Sequence, residues 1–361
     1  MFAPPPGAGA QRLGDRMNAG DSIAQSPGRR AWLRFRRNRV GFVSFWLLLG
    51  FLLLSLVAEL VCNDRPFVAV YQGQWTFPVL HNPPEHAYGG DFDTPTDWKD
   101  PFIAQQFAKP GNWRLHTLNP HSADSVNAFQ RAPNPAAPDA LNWLGTDEAG
   151  RDMVARLLYG FRVSLLFGLA LTAVGTLIGL SMGALQGYFG GRIDLGLQRL
   201  IEVWSSIPEL YLLIIFASIF APSLLLLLVL LSLFGWIGLS DYVRAEFLRN
   251  RGLEFVKAAR ALGLSNAQII WRHLLPNSLT PVITFVPFRM SDAILVLVSL
   301  DFLGLGVPPG TPSLGDLVRQ GKSNLDAWWI IVPTFAVLTV TLLLLTFIGE
   351  ALRDAFDTRK S

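Results

Sequence analysis

Six apolar runs constrain this chain more than anything else in it. They cover residues 40–62, 161–189, 197–219, 223–239, 282–304 and 328–348. An α-helix needs roughly 20 apolar residues to cross a hydrocarbon core of about 30 Å. In hydrocarbon each backbone N–H and C=O must find its partner within the segment, which leaves the helix as the natural solution for such runs. The expected fold is therefore all-α and polytopic, with six transmembrane helices and a large insert after the first. Composition agrees: only 16% of residues are charged and 51% are hydrophobic, whereas soluble domains carry about 25% charged residues. The domain reading is a basic, disordered N-terminus (1–39), a first span (40–62), an outer insert (63–143), a five-helix core (144–350) with a loop at 241–280, and a tail (351–361).

Charge placement orients these spans. The first 39 residues hold eight arginines and two acids, and the basic collar 29–39 runs straight into the first span. Excess Lys and Arg mark cytoplasmic loops. The 241–280 loop carries Arg244, Arg249, Arg251, Lys257, Arg260 and Arg272. The 63–143 insert holds eight acids against five Lys or Arg. Six spans with both termini in the cytoplasm, and with 63–143 and 305–327 outside, satisfy these counts. The arginines lead into a greasy helix, not a folded face with stacking aromatics, so nucleic acid is excluded as a partner. The first run is too long for a signal-peptide core and lacks a small-residue cleavage site, so it should stay as an anchor. The lone Cys62 rules out an internal disulfide. Proline content predicts an irregular cap for 63–143.

The stretch 254–277, EFVKAARALGLSNAQIIWRHLLPN, interrupts the apolar pattern. Glu254, Lys257 and Arg260 lie on a run of good helix formers that stops at Gly263, where glycine accepts the left-handed conformation that caps a helix. Ser265 and Gln268 then match a capping box and start a second helix. That helix passes through Ile270 towards Leu275, and Pro276 is expected to end it. Ala258, Ala259 and Leu262 give a small apolar face. Spacing alone leaves two readings: a surface hairpin that caps the bundle, or a docking element for another protein.

Other signals are weaker. Gly175, Gly179, Gly183 and Gly187 recur every fourth residue, which places a glycine stripe on one helix face. The stripe either packs within the chain or faces a pathway or partner subunit. Charges at mid-membrane cost about 2.5–3.5 kcal/mol on insertion scales, so Glu202, Glu209, Arg289, Asp292 and Asp301 need reasons. Arg289 and Asp292 are one turn apart and expected to pair, while Glu202 and Asp301 lie near the interfaces and are expected to reach water. GDLVRQGKS (315–323) has five residues between Gly315 and Gly321 where a phosphate-binding loop needs four. It is rejected, so no nucleotide cofactor is expected on this chain. His81, His86, His116 and His121 do not share a helix face, and no metal site is expected.

The hairpin resembles the EAA loop of ABC importer permeases. Ala258, Ala259 and Gly263 fall at that pattern's alanine and glycine positions, and Ile270, Leu275 and Pro276 lie at its end. The acidic position of the pattern holds Lys257. WLGTDEAGRDMVARLLYGFRVSL (143–165) is similar to the entry into the second span of dipeptide-type permeases. YQGQWTFPV (71–79), YGGDFDTPTDWKDPFI (88–103) and SLDFLGLGVPPGTPSLGDL (299–317) resemble the Yej-type oligopeptide permeases, a family that also imports microcin C. The resemblance spans roughly residues 30–357. It implies the type I ABC importer fold in a bacterial inner membrane and a non-catalytic subunit whose hairpin docks on a partner ATPase carrying ATP and Mg. It also implies a second, related permease subunit, a periplasmic peptide-binding protein and an oligopeptide substrate. The competing readings are an ion-coupled secondary carrier using Asp292, and a membrane-anchored periplasmic binding module built on 63–143.

Overall fold

The computed structural model describes residues 27–126 and 133–357. The disorder expected for residues 1–26 lies outside them. Residues 27–37 depart from that expectation: they form a helix, α1 (Pro27–Arg37). The spacing explains it. Ala31 and Phe35, one turn apart, are buried while Arg36 and Arg37 are exposed, the division of an amphipathic helix. Phe35 packs on Ala351 and Ala355, and Arg34 Nη1 donates to Asp357 O at 3.1 Å. The basic collar therefore lies along the end of the last helix.

Asn38 caps α2 (Arg39–Leu56) by accepting from Gly41 N at 3.1 Å. A short turn, Ala58–Val61, follows, so the first apolar run is split at Val57. The insert then forms a folded cap, more regular than its prolines suggest. Strands β1 (Val68–Tyr71), β2 (Gln74–Thr76) and β3 (Trp113–Leu115) make an antiparallel sheet in the order β2-β1-β3. Helix α3 (Pro101–Phe107) covers it. Ala69, Tyr88, Trp98, Ile103 and Phe107 form a small core. Burial disfavours the charged form of the Tyr88 hydroxyl and raises its pKa, a hydrogen bond with Thr76 offsetting part of this. The cap is fastened to the bundle by Asn119, whose N–H reaches Val61 O (2.9 Å) and whose Nδ2 donates to Asp152 Oδ1 (2.6 Å).

Asp152 in turn caps α4 (Met153–Phe189) through Ala155 N. At 37 residues this helix is about 55 Å long, enough to cross a membrane and project beyond it. Gly190, at φ +64°, turns the chain into α5 (Gly191–Ser205), and a 64° bend over Ser206–Pro208 separates that from α6 (Glu209–Ile219). Proline lacks the N–H that would continue the ladder. The run expected as one third span is thus a broken one. Helices α7 (Leu224–Ser232) and α8 (Ile237–Asn250) form the next span, which continues well beyond residue 239, where the sequence reading ended it. Two short helices follow, α9 (Glu254–Ala261) and α10 (Asn266–Ile269), then α11 (Leu275–Phe302), α12 (Leu314–Ser323) and α13 (Trp328–Phe356). Among the described residues, five spans are long and apolar enough to cross a membrane, or six with the bent pair counted as one.

Two cores hold the ends of the bundle. At the cap end, Met153, Leu157, Phe161, Ile294, Val298 and Leu317 pack together. Arg156 is fully buried there: Nη1 donates to Gly310 O at 2.7 Å, and Asp147 and Asp316 lie within 3.7 Å of the guanidinium. A buried cation needs such company. It staples α4 to the 305–313 loop. Tyr188, Val243, Phe247, Val256, Ile269 and Leu274 pack at the opposite end.

Candidate coupling site

The hairpin at that opposite end is built as its residues require. Gly263 has φ +79°, a conformation that costs an L-residue about 1–2 kcal/mol. Around it, Leu264 N donates to Ala259 O (3.2 Å) and Gly263 N to Arg260 O (2.9 Å), the two bonds of a Schellman stop. One residue on, Ser265 N donates to Gln268 Oε1 (2.9 Å) and Gln268 N to Ser265 Oγ (3.3 Å), a complete capping box. The hairpin is fixed to the bundle by Tyr188, whose hydroxyl donates to Asn266 Oδ1 at 2.7 Å and whose ring lies 5.4 Å below the Arg260 guanidinium.

Two expectations need correction. Ala259 does not share an outward face with Ala258 and Leu262. It is buried with Val256 and Ile269, and the exposed apolar edge is instead Leu253, Phe255, Ala258, Leu262 and Trp271. Nor does Pro276 end the second helix. Residues Ile270–Leu274 form a π-turn, with Leu275 N bonded to Ile270 O, and Pro276 occupies the first turn of α11. A wider turn accommodates the proline, whose ring would clash in an α-helical interior. Residues 266–302 therefore run as one helical rod of 37 residues. Lys257 pairs with Glu254 at 2.8 Å on the exposed side, so the lysine that replaces the pattern's acid is already engaged within the hairpin.

The hairpin is thus locked at its turn, continuous with a helix long enough to cross a membrane, and carries an exposed apolar edge. A family model described as the binding-protein-dependent transport system inner membrane component matches residues 175–361, which contain the whole of it. The chain belongs to this family. A second model, the N-terminal transmembrane domain of oligopeptide transport permease C, matches residues 26–84. The inner membrane ABC transporter permease protein YejE of Escherichia coli is 47% identical over 91% of this chain and 96% of its own length. The peptidoglycan transport system permease protein YejE of Agrobacterium fabrum is 46% identical over 92% of this chain and 93% of its own. The dipeptide transport system permease protein DppC of Lactococcus lactis is 30% identical, covering 92% and 90%. Membership makes the chain a multi-pass inner membrane permease of an ABC transporter, which acts with an ATPase and other subunits. The carrier and anchored-module readings give way to it.

Within this permease the other singled-out residues are placed as follows. The glycine stripe lies against α8 and the break before it: a Cβ at Gly179 would stand 2.8 Å from Trp236 O, and one at Gly183 2.5 Å from Ser240 O. Gly175 faces Arg289 Nη2, and Gly187 lies on Phe247 and Arg244. Arg289 does not pair with Asp292; its Nη2 donates to Gly235 O at 2.6 Å, and Asp292 is exposed. Asp301 does not reach water. It is buried, accepts from Val307 N at 2.7 Å and from the Ser313 hydroxyl, and so shapes the loop after α11. Sequence reasoning missed Tyr188, Asn266 and Arg156. Only the guanidinium carried a signal, a charge one turn inside a long helix; of its acidic partners Asp147 is near in sequence and Asp316 far away.

Proposed function

We propose that the chain is one half of the membrane pore of an ATP-driven importer of oligopeptides. In this reading the hairpin 254–276 and both termini face the cytoplasm, and the cap and the 305–327 loop face the periplasm. The observation that carries it is the hairpin: its outward edge of Leu253, Phe255, Leu262 and Trp271 is left exposed by the described residues, and the rod 266–302 delivers any push on it into the membrane. A cytoplasmic ATPase, binding ATP and Mg on its own residues, is the partner that fits. A second, related permease completes the pore, and a periplasmic binding protein delivers the peptide to the cap side. The chain itself is non-catalytic. Names of similar proteins, which speak of dipeptide, oligopeptide and peptidoglycan transport, support peptides as the substrate class, and the resemblance to Yej-type permeases adds microcin C-like peptides.

The orientation is testable without removing the native cysteine. Cys62 is fully buried, and burial, helped by nearby Asp152, pushes its thiol up to about 12. It should stay silent to maleimides, which attack the thiolate. With Leu118, 76% exposed on the cap, replaced by cysteine, an impermeant maleimide should label intact cells. Cysteine at Ala267 should react only after lysis. The reverse pattern would invert the topology.

The energy source is tested by reconstituting the complete transporter in vesicles without an ion gradient. Peptide uptake is expected with ATP and Mg on the hairpin side and none with a proton gradient alone. Gradient-driven uptake indifferent to ATP would defeat the reading.

A further inference from the structure

We propose that a polar cleft within the membrane-spanning bundle binds the primary ammonium group of the peptide as it crosses. The proposal rests on the peptide-importer reading above and adds a site within the path.

The cleft is a cavity of about 180 Å³ whose polar lining comes from Thr172, Glu209, Gly235, Arg289 and Asp292, drawn from four segments of the fold. Thr172 is one residue past the midpoint of α4, so the cavity lies within the bundle, away from both of its ends. Its charges are not neutralised among themselves. Arg289 directs Nη2 to Gly235 O (2.6 Å), and it can do so because Gly175 has no side chain: a Cβ there would stand 2.8 Å from that nitrogen. Asp292 is left exposed at the cavity's edge. Glu209 is brought in by the 64° bend at Ser206–Pro208 and is the first residue of α6, where the helix dipole favours a carboxylate.

Two carboxylates thus face one guanidinium, whose Nη2 is held by a carbonyl and whose buried Nε has no partner, so the formal balance is negative while one N–H is left for a carbonyl of the peptide. Thr172 is only 4% exposed, lines the cavity, and its Oγ1 has no hydrogen-bond partner. A buried hydroxyl without a partner calls for one. An ammonium offers three N–H donors and accepts nothing, which suits two carboxylates and a hydroxyl. Ionisable groups held at membrane depth mark transport paths, and Leu171, Leu231 and Val296 supply apolar walls for the peptide stem.

The ammonium has two sources, the free N-terminus and a basic side chain. The test uses the complete reconstituted transporter with saturating binding protein and three peptides: trialanine, N-acetyltrialanine, and an N-acetylated tripeptide ending in lysine. Glu209→Gln and Asp292→Asn are each expected to lower uptake of an amine-bearing peptide about tenfold, the scale of one lost charge-assisted hydrogen bond. N-acetyltrialanine should enter the variants at the wild-type rate. Loss confined to trialanine assigns the cleft to the N-terminus; loss for the lysine peptide as well assigns it to any primary ammonium. Glu209→Asp and Asp292→Glu should recover part of the selectivity. Equal loss for all three peptides, or loss of the co-purifying second permease, would overturn the proposal, the latter by making the cleft a subunit contact. Wild-type vesicles that import none of the peptides would instead sink the importer reading.

Discussion

Replacing Gly263 with valine is expected to abolish uptake while membrane insertion proceeds normally. Gly263 sits at φ +79° with nothing within 4 Å of where a Cβ would stand, so volume is not at issue. Conformation is: left-handed backbone costs an ordinary residue about 1–2 kcal/mol, and a β-branched one more. The Schellman bonds at Ala259 and Arg260 and the capping box at Ser265 flank the residue on either side, so the strain is relieved by opening the turn. That swings Leu262 and the exposed edge away from the line of the rod. Asparagine tolerates the left-handed conformation, so Gly263→Asn should keep most of the transport. Peptide uptake and ATPase co-purification, each normalised to inserted protein, decide the matter. A valine variant that binds its ATPase and transports normally would return the hairpin to a surface cap.

Gly183→Leu should do the greatest damage to the fold itself. A Cβ at Gly183 would stand 2.5 Å from Ser240 O, 2.7 Å from Val243 Cβ and 3.0 Å from Arg244 N. Two of the three are backbone atoms, so α4 and α8 must part. Separation also strains the Gln186–Ser240 bond and the Arg244–Asp194 ion pair at their sides. Overpacking typically costs about 1–3 kcal/mol where side chains can yield, and here they cannot. The variant is expected to fail size-exclusion as a folded complex and to show no uptake. Gly50→Leu serves as the control, since nothing lies within 4 Å of a Cβ there. A Gly183→Leu protein as well assembled and active as Gly50→Leu would show that the stripe does not set the helix distance.

The features legible in the sequence are those written in local chemistry. The spans follow from run length, and both the stop at Gly263 and the start at Ser265 follow from residues within four positions. What was missed depends on distant neighbours. Ala258 and Ala259 look alike in sequence, yet only Ala259 meets Val256 and Ile269. Pro276 reads as a terminator until a π-turn two residues earlier absorbs it. Arg289 and Asp292 have the spacing of a pair, but a carbonyl at Gly235, more than fifty positions away, takes the guanidinium. The basic N-terminal collar has no long apolar run to announce a helix, and α1 exists because α13 offers Ala351 and Ala355 to Phe35.

The rod 266–302 has a consequence that is best expressed as degrees of freedom. Its hairpin end shares one core with α4 and α8, and its far end shares another with α4 and α12; between them Pro281 and Pro287 interrupt the ladder of backbone hydrogen bonds, the places where such a rod can bend. Over the 28 residues of α11, about 42 Å at 1.5 Å per residue, a tilt of about 5° carries one end past the other by about 4 Å. A small displacement at the hairpin therefore becomes a change of side-chain dimensions at the opposite mouth. The freedom to switch lies at these two prolines, at the break at Ser206–Pro208 and at the surface the rod presents to a second subunit.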